Sequence, residues 1–402
     1  MTRASPRSGR LLRIGTIVVA AAIAVTAVAV ALVQAGTAGA NNPQPVTVNG
    51  FSCAGSWTPP HSGQREITIV NAGSSVVDVI LLGAKNSLVY GEVEAMAPGI
   101  TRAMTAVIPP GKYRLGCTYS ENATVYSAVV TVTGGPVDDA HPYQQVTYNQ
   151  MAPLVTTYRA DVASGLAVLA TDTDHLQALV VSGGQPGQIE QAWLVAHLDY
   201  ARLGAAYDTF GDFNDEIDGR PNALPQGVND PSWTGFLRVE YALWHGQSAA
   251  TVTAAVDQLD TYVHQLVLAF PEQTTPPNDL SLRTHEILEN TLQFELTGET
   301  DQGSHTGLAT AAANVQGTEM TLGALAPLLQ QRDPALLAAT TNGLHGLATL
   351  IDSYQSPAGA WTPVQSLTQA QREDLDGAIG NSLETVAPLP DLLELTPEAS
   401  SP

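Results

Sequence analysis

The hydrophobic period of this chain changes once, and that change divides it into two parts of different class. Between residues 45 and 134 the apolar residues fall in short β-rich runs: Val46-Thr-Val48, Glu66–Val70, Val76–Leu82, Thr105–Ile108 and Tyr126–Val132. Turn-forming Asn71-Ala-Gly73, Ala97-Pro-Gly99 and Pro109-Pro-Gly111 separate them, and short strands at such spacing predict a small β-sandwich. Residues 135–142, in Gly134–Pro142, read as a linker. From 143 to 388 the apolar residues recur at three- and four-residue spacing, which predicts helices on Tyr143–Ala170, Pro186–Phe210, Ser232–Trp244, Ala249–Phe270, Leu280–Leu296, Thr306–Leu329, Pro334–Tyr354 and Thr368–Val386. The expected architecture is multidomain: a β-sandwich at 45–134 followed by an all-α helical bundle, whose polar sites would lie between facing helices. The last stretch, 389–402, carries Pro, Glu and Ser and reads as a flexible tail.

Charge narrows the partners. The 402 residues include 38 acids and 16 bases, a net charge of −22, and no Lys/Arg cluster is present to neutralise phosphates, so nucleic acid is excluded as a partner. Arg3, Arg7, Arg10 and Arg13 precede an apolar run from Ile14 to Val33, with Ala38-Gly-Ala40 after it. This is the pattern of an export signal over residues 1–40, or of a single-span anchor at 14–33 if it is retained. Either way the remainder is extracytoplasmic, in the cell envelope or secreted, and meets a membrane only through that segment. The two cysteines, Cys53 and Cys117, favour a disulfide in an oxidising compartment, with a metal-thiolate pair as the alternative.

The chemistry-bearing segment is Asp230–Gly246, read as a Pro/Ser-initiated helix with Phe236, Val239, Leu243 and Trp244 at core spacing. Glu240 falls in or near that packed face, where a carboxylate is costly unless a cation or hydrogen-bond donors meet it. His285 and Glu289, four apart on one helix, point the same way and form a second candidate metal pair. They do not complete a His-Glu-x-x-His zinc-protease motif, and no Gly-x-Ser-x-Gly elbow is present. The chain is therefore expected not to be an enzyme.

This segment, together with Ala196-His-Leu-Asp-Tyr-Ala-Arg-Leu-Gly204, Phe210–Arg220 and Thr284–Gly298, resembles the imelysin-like helical domain of the EfeO-type iron-uptake family. The resemblance implies metal-facing residues at Ala201, Asp218, Leu237 and Glu240, of which only the two carboxylates can ligate. Asp218 and Glu240 are then expected either to hold a cation weakly or to pair with Arg202, Arg220 or Arg238. His305, in Gly303-Ser-His-Thr-Gly307, stands where some members of the family carry a Ser-His-Thr-Asp segment and is a further candidate ligand. The front domain resembles the cupredoxin-like domain of the same family through Cys53, Met96–Gly99 and Pro110–Cys117. Type-1 copper is excluded, because no His or Met closely follows Cys117 and His61 is the domain's only histidine. The resemblance implies iron as the cargo, an iron permease and a haem-peroxidase-like protein as partners, and a non-catalytic role in uptake. The alternative is a degenerate paralogue acting as a cell-surface interaction or polysaccharide-binding protein. A metallopeptidase is a weaker third reading.

Overall fold

The structure is a computed structural model that describes residues 45–395 apart from 51, 55–56, 58–60, 87 and 120–123. The export signal or anchor expected at 1–40, with its apolar run at 14–33, lies outside the described residues. Among them, no helix is long and apolar enough to cross a membrane.

The first part is a two-sheet sandwich. One sheet has the order β2-β1-β3-β6, built from β1 (Val46–Asn49), β2 (Ser52–Cys53), β3 (Gly63–Asn71) and β6 (Thr101–Ile108). The other contains β4 (Val77–Gly83), β5 (Leu88–Met96), β7 (Gly111–Thr118), β8 (Thr124–Tyr126) and β9 (Val130–Val132), with β4 between β5 and β7. Alternation puts Ile67 and Ile69 of β3 and Met104, Ala106 and Ile108 of β6 into a shared core with Val79, Leu81 and Leu115 of the facing sheet. Cys53 on β2 and Cys117 on β7 form a disulfide between the sheets, their Cα atoms 5.3 Å apart, which disposes of the metal-thiolate alternative.

The second part is helical, with its own core. Its principal helices are α1 (Tyr148–Val181), α2 (Pro186–Ala201), α3 (Asp212–Asp218), α4 (Phe236–Trp244), α5 (Ala249–Ala269), α6 (Pro277–Asn290), α7 (Gly307–Arg332), α8 (Pro334–Asp352) and α9 (Gln369–Val386). Tyr158, Trp193, Tyr200, Phe210 and Phe236 are among its largest fully buried side chains.

Three departures from the periodicity reading have local causes. The helix expected over Pro186–Phe210 stops at Ala201 and continues as a 3-10 turn at Gly204–Ala206. The Arg202 carbonyl there lies so close to α7 that a Cβ at Gly317 would come within 2.7 Å of it. The helix expected from Ser232 begins instead at Phe236, because the Ser232 amide and hydroxyl donate to Asp230 Oδ1 and hold a turn. Residues 389–395, expected in the flexible tail, are packed: Leu389 and Leu393 are fully buried, and Val146 bridges Leu395. Apolar leucines in a Pro- and acid-rich stretch outweighed its composition.

Candidate metal site

The junction between α3 and α4 sets the geometry of the site. Gly235 has φ +86°, and a Cβ there would lie 2.2 Å from the Ile217 carbonyl oxygen, so only glycine lets the two chain segments approach this closely. The Thr234 hydroxyl donates to the Glu216 carbonyl at 2.7 Å and Trp233 Nε1 to the Gly219 carbonyl at 2.9 Å. Trp193 Nε1, from α2, donates to the Phe236 carbonyl at 3.0 Å. These contacts bring three elements together: α2 with His197, the end of α3 with Asp218, and α4 with Glu240.

His197 is the centre of the arrangement. It is 6% exposed, stacked against Trp193 with ring centres 5.0 Å apart and tilted against Phe236 at 5.3 Å. Its Nε2 lies 3.7 Å from Asp218 Oδ1, longer than a hydrogen bond. His197 Nδ1 and Asp218 Oδ1 are both buried without a hydrogen-bond partner. Burial disfavours the imidazolium, but Asp218, Glu240 and Glu295 together outweigh it and hold the histidine's pKa above its ordinary value.

Glu240, 2% exposed, accepts at Oε1 from the Gln302 amide at 3.0 Å and the Ser304 amide at 2.9 Å. Burial nevertheless pushes its pKa from 4.5 up to about 7. Glu295 accepts from the Thr300 hydroxyl at 2.8 Å and is likewise raised by burial from 4.5 to about 7. It sits on a π-helical turn, Thr291–Glu295, that ends the α6 helix, a distortion often found at functional sites. A cavity of about 190 Å³ opens here, with His197, Ala201, Asp218, Glu295 and Asn314 in its wall. Arg220 also reaches the wall, but its guanidinium lies 3.8 Å over the Phe294 ring and 3.5 Å from Glu299.

The expected salt bridges to Asp218 and Glu240 do not form among the described residues. Arg202 pairs with Asp199, Arg220 with Glu299, and Arg238 donates to Gln247. Side-chain carboxylate, amide and aromatic partners hold those arginines and leave Asp218 facing the His197 imidazole. Acids drawn from water in this way, Glu240 fully and Asp218 and Glu295 in part, are stabilised by protons or by a cation. The sign for the metal-free protein follows. Glu240 and Glu295 bind protons more tightly folded than unfolded, so their contribution to stability is complete below pH 4.5 and is lost as pH rises to about 7. Denaturant unfolding of metal-free protein at pH 5 and pH 7.5 should show it more resistant at pH 5 through these groups, with the difference removed in a Glu240→Gln/Glu295→Gln variant.

The remaining sequence candidates lie apart from the cavity wall. His285 Nδ1 faces its helical neighbour Glu289 at 3.6 Å, and neither lines the cavity. His305 has φ +59° and its Nδ1 meets Asp301 Oδ2 at 2.8 Å. Asp301 also accepts from the Gly303 and His305 amides, so this histidine fastens the loop whose amides hold Glu240. Leu237 is buried and is not in the cavity wall, whereas Ala201 is. Two site residues escaped the sequence reading. His197 could have been found as the histidine that directly follows the apolar run Ala192–Ala196, at helical spacing from Trp193 and Tyr200. Glu295 had no such signal, since its direction depends on the π-helical turn.

On this helical bundle a cavity is walled by the buried His197 and by Asp218 and Glu295, while Glu240 is buried outside that wall and acts on His197 through its charge. The chain belongs to the imelysin family (peptidase M75), whose profile matches residues 154–386. Over 353 residues it is 29% identical to proteins named iron uptake system component EfeO from Escherichia coli K12, Escherichia coli O157:H7 and Shigella flexneri, covering 87% of this chain and 91% of each relative.

Proposed function

We propose that this protein is a non-catalytic, extracytoplasmic component of an iron-uptake system, which takes up ferrous or ferric iron at His197, Asp218, Glu240 and Glu295 and presents it to a membrane permease, beside a haem-peroxidase-like partner. The observation that carries the reading is the buried imidazole of His197 on α2, 3.7 Å from Asp218 and within the electrostatic reach of Glu240 and Glu295. The family position at Leu237 has lost its histidine, and His197 supplies an imidazole from the neighbouring helix. Carboxylate oxygens with one imidazole suit iron in either oxidation state. The similarity to EfeO proteins along most of the chain supports the same role.

Iron capture would displace protons from Glu240 and Glu295, both raised to about 7, so binding tightens as pH rises toward neutrality and weakens in acid. Calorimetric titration with ferrous, ferric and zinc ions tests the proposal. Saturable, micromolar or tighter iron binding with proton release is expected, and an absence of saturable iron binding would remove it. An Ala201→Glu variant places a third carboxylate in the cavity wall, beside Asp218 and Glu295, and should bind iron more tightly. Leu237→His would bury a polar ring away from the wall and should instead cost about 1–3 kcal/mol of stability without tightening iron binding.

A further inference from the structure

We propose a second cation site in the helical domain, between α1 and α5, formed by Asp174, Asp260 and His264 and taking a divalent first-row transition ion. One ligand atom from each of these residues lies within 4.8 Å of the others. His264 Nε2 is 3.0 Å from Asp174 Oδ1 and 3.7 Å from Asp260 Oδ1. A first-row ion with bonds of about 2.1 Å holds adjacent ligands roughly 3–3.5 Å apart, so the observed spacing needs only a small closure of the two exposed side chains.

The independent sign of a ligand is Asp260. Its side chain is 11% exposed, and although Thr173 acts on the carboxylate, the Oδ1 atom that lies 3.7 Å from His264 Nε2 is buried without a hydrogen-bond partner. The adjacent Thr173 hydroxyl donates to the Ala170 carbonyl. Asp257, one turn earlier on α5, accepts from Gln177 at 3.0 Å and adds negative charge nearby. No Lys or Arg forms an ion pair with Asp174, Asp257 or Asp260 among the described residues. Burial raises the Asp260 pKa; the Thr173 hydroxyl and His264 counter it, and the Asp174 and Asp257 charges add to it. A divalent ion would satisfy the orphaned oxygen and the like charges together.

Asp174 and His264 side chains are 59% and 46% exposed, which leaves water-accessible coordination positions and gives the ion a route in. Mixed nitrogen and oxygen ligands with open positions suit zinc, manganese or ferrous ions better than calcium, which takes oxygen alone. The site is separate from the His197 cavity and does not depend on the uptake reading.

The test is a zinc titration by calorimetry of the full chain carrying His197→Leu and Glu295→Gln, which disable the cavity, alone and with Asp174→Asn or His264→Gln added. One zinc equivalent is expected in the cavity-disabled protein, weakened more than about tenfold by either added change. Asp174 and His264 are exposed, so melting of the metal-free variants should match their parent, and this separates ligand loss from unfolding. Zinc binding that vanishes with the cavity changes alone, or that is unaltered by His264→Gln, would overturn the proposal.

Discussion

Replacing Gly235 by alanine is expected to destabilise the helical domain by about 4–6 kcal/mol, as the sum of left-handed backbone strain and overpacking. The new Cβ would lie 2.2 Å from the Ile217 carbonyl oxygen, 2.4 Å from its carbon and 2.9 Å from the Glu216 carbonyl oxygen. Backbone atoms cannot yield as a flexible side chain can, so α3 and α4 must separate. The same displacement draws Asp218 away from His197, so iron affinity should fall with stability. Gly246, just past the end of α4, supplies the control: its φ is +60°, yet a Cβ there would meet nothing within 4 Å. Gly246→Ala should cost only about 1 kcal/mol, the conformational part alone. Equal losses for the two variants in denaturant unfolding would show that the close approach at Gly235 is not what fixes the junction.

His197→Leu is expected to separate stability from binding. Leucine fills a similar volume against Trp193 and Phe236 and removes a nitrogen, Nδ1, that is buried without a partner. The metal-free protein should therefore unfold at the same or a higher denaturant concentration, since apolar replacement of a buried polar group is often neutral or stabilising. Iron affinity should fall by more than about 100-fold, beyond the range found for losing a group that merely supports a ligand. Calorimetric titration of natural protein and variant at one pH, with melting curves of each, gives both quantities. Unchanged affinity would mean that the acids bind without the imidazole and that His197 is a packing residue.

Much of the fold was legible because burial imposes period. The alternation in β3 and β6 and the three- and four-residue spacing of α5 through α9 recur almost where the sequence predicts them. The packed position of Glu240 was legible for the same reason, beside Phe236 and Val239 on one face of α4. Helix ends were less so, because they turn on single contacts such as Gly317 against the Arg202 carbonyl.

The site divides along the same line. Sequence by itself determined that Glu240 is an acid placed where an acid is costly, that Leu237 cannot ligate, and that Cys53 and Cys117 are available to pair, while Asp218 entered through the family resemblance. Only the tertiary structure decided which partners those acids meet. Arg202, Arg220 and Arg238 each had the charge to neutralise them, and each is held elsewhere by Asp199, Glu299 with Phe294, or Gln247. His197 and Glu295 arrive instead, from an α-helix and a π-helical turn distant in the chain. Charge and helical period are local properties written along the chain. Which charges converge depends on packing distances of a few ångströms between segments, and those are set by the fold as a whole.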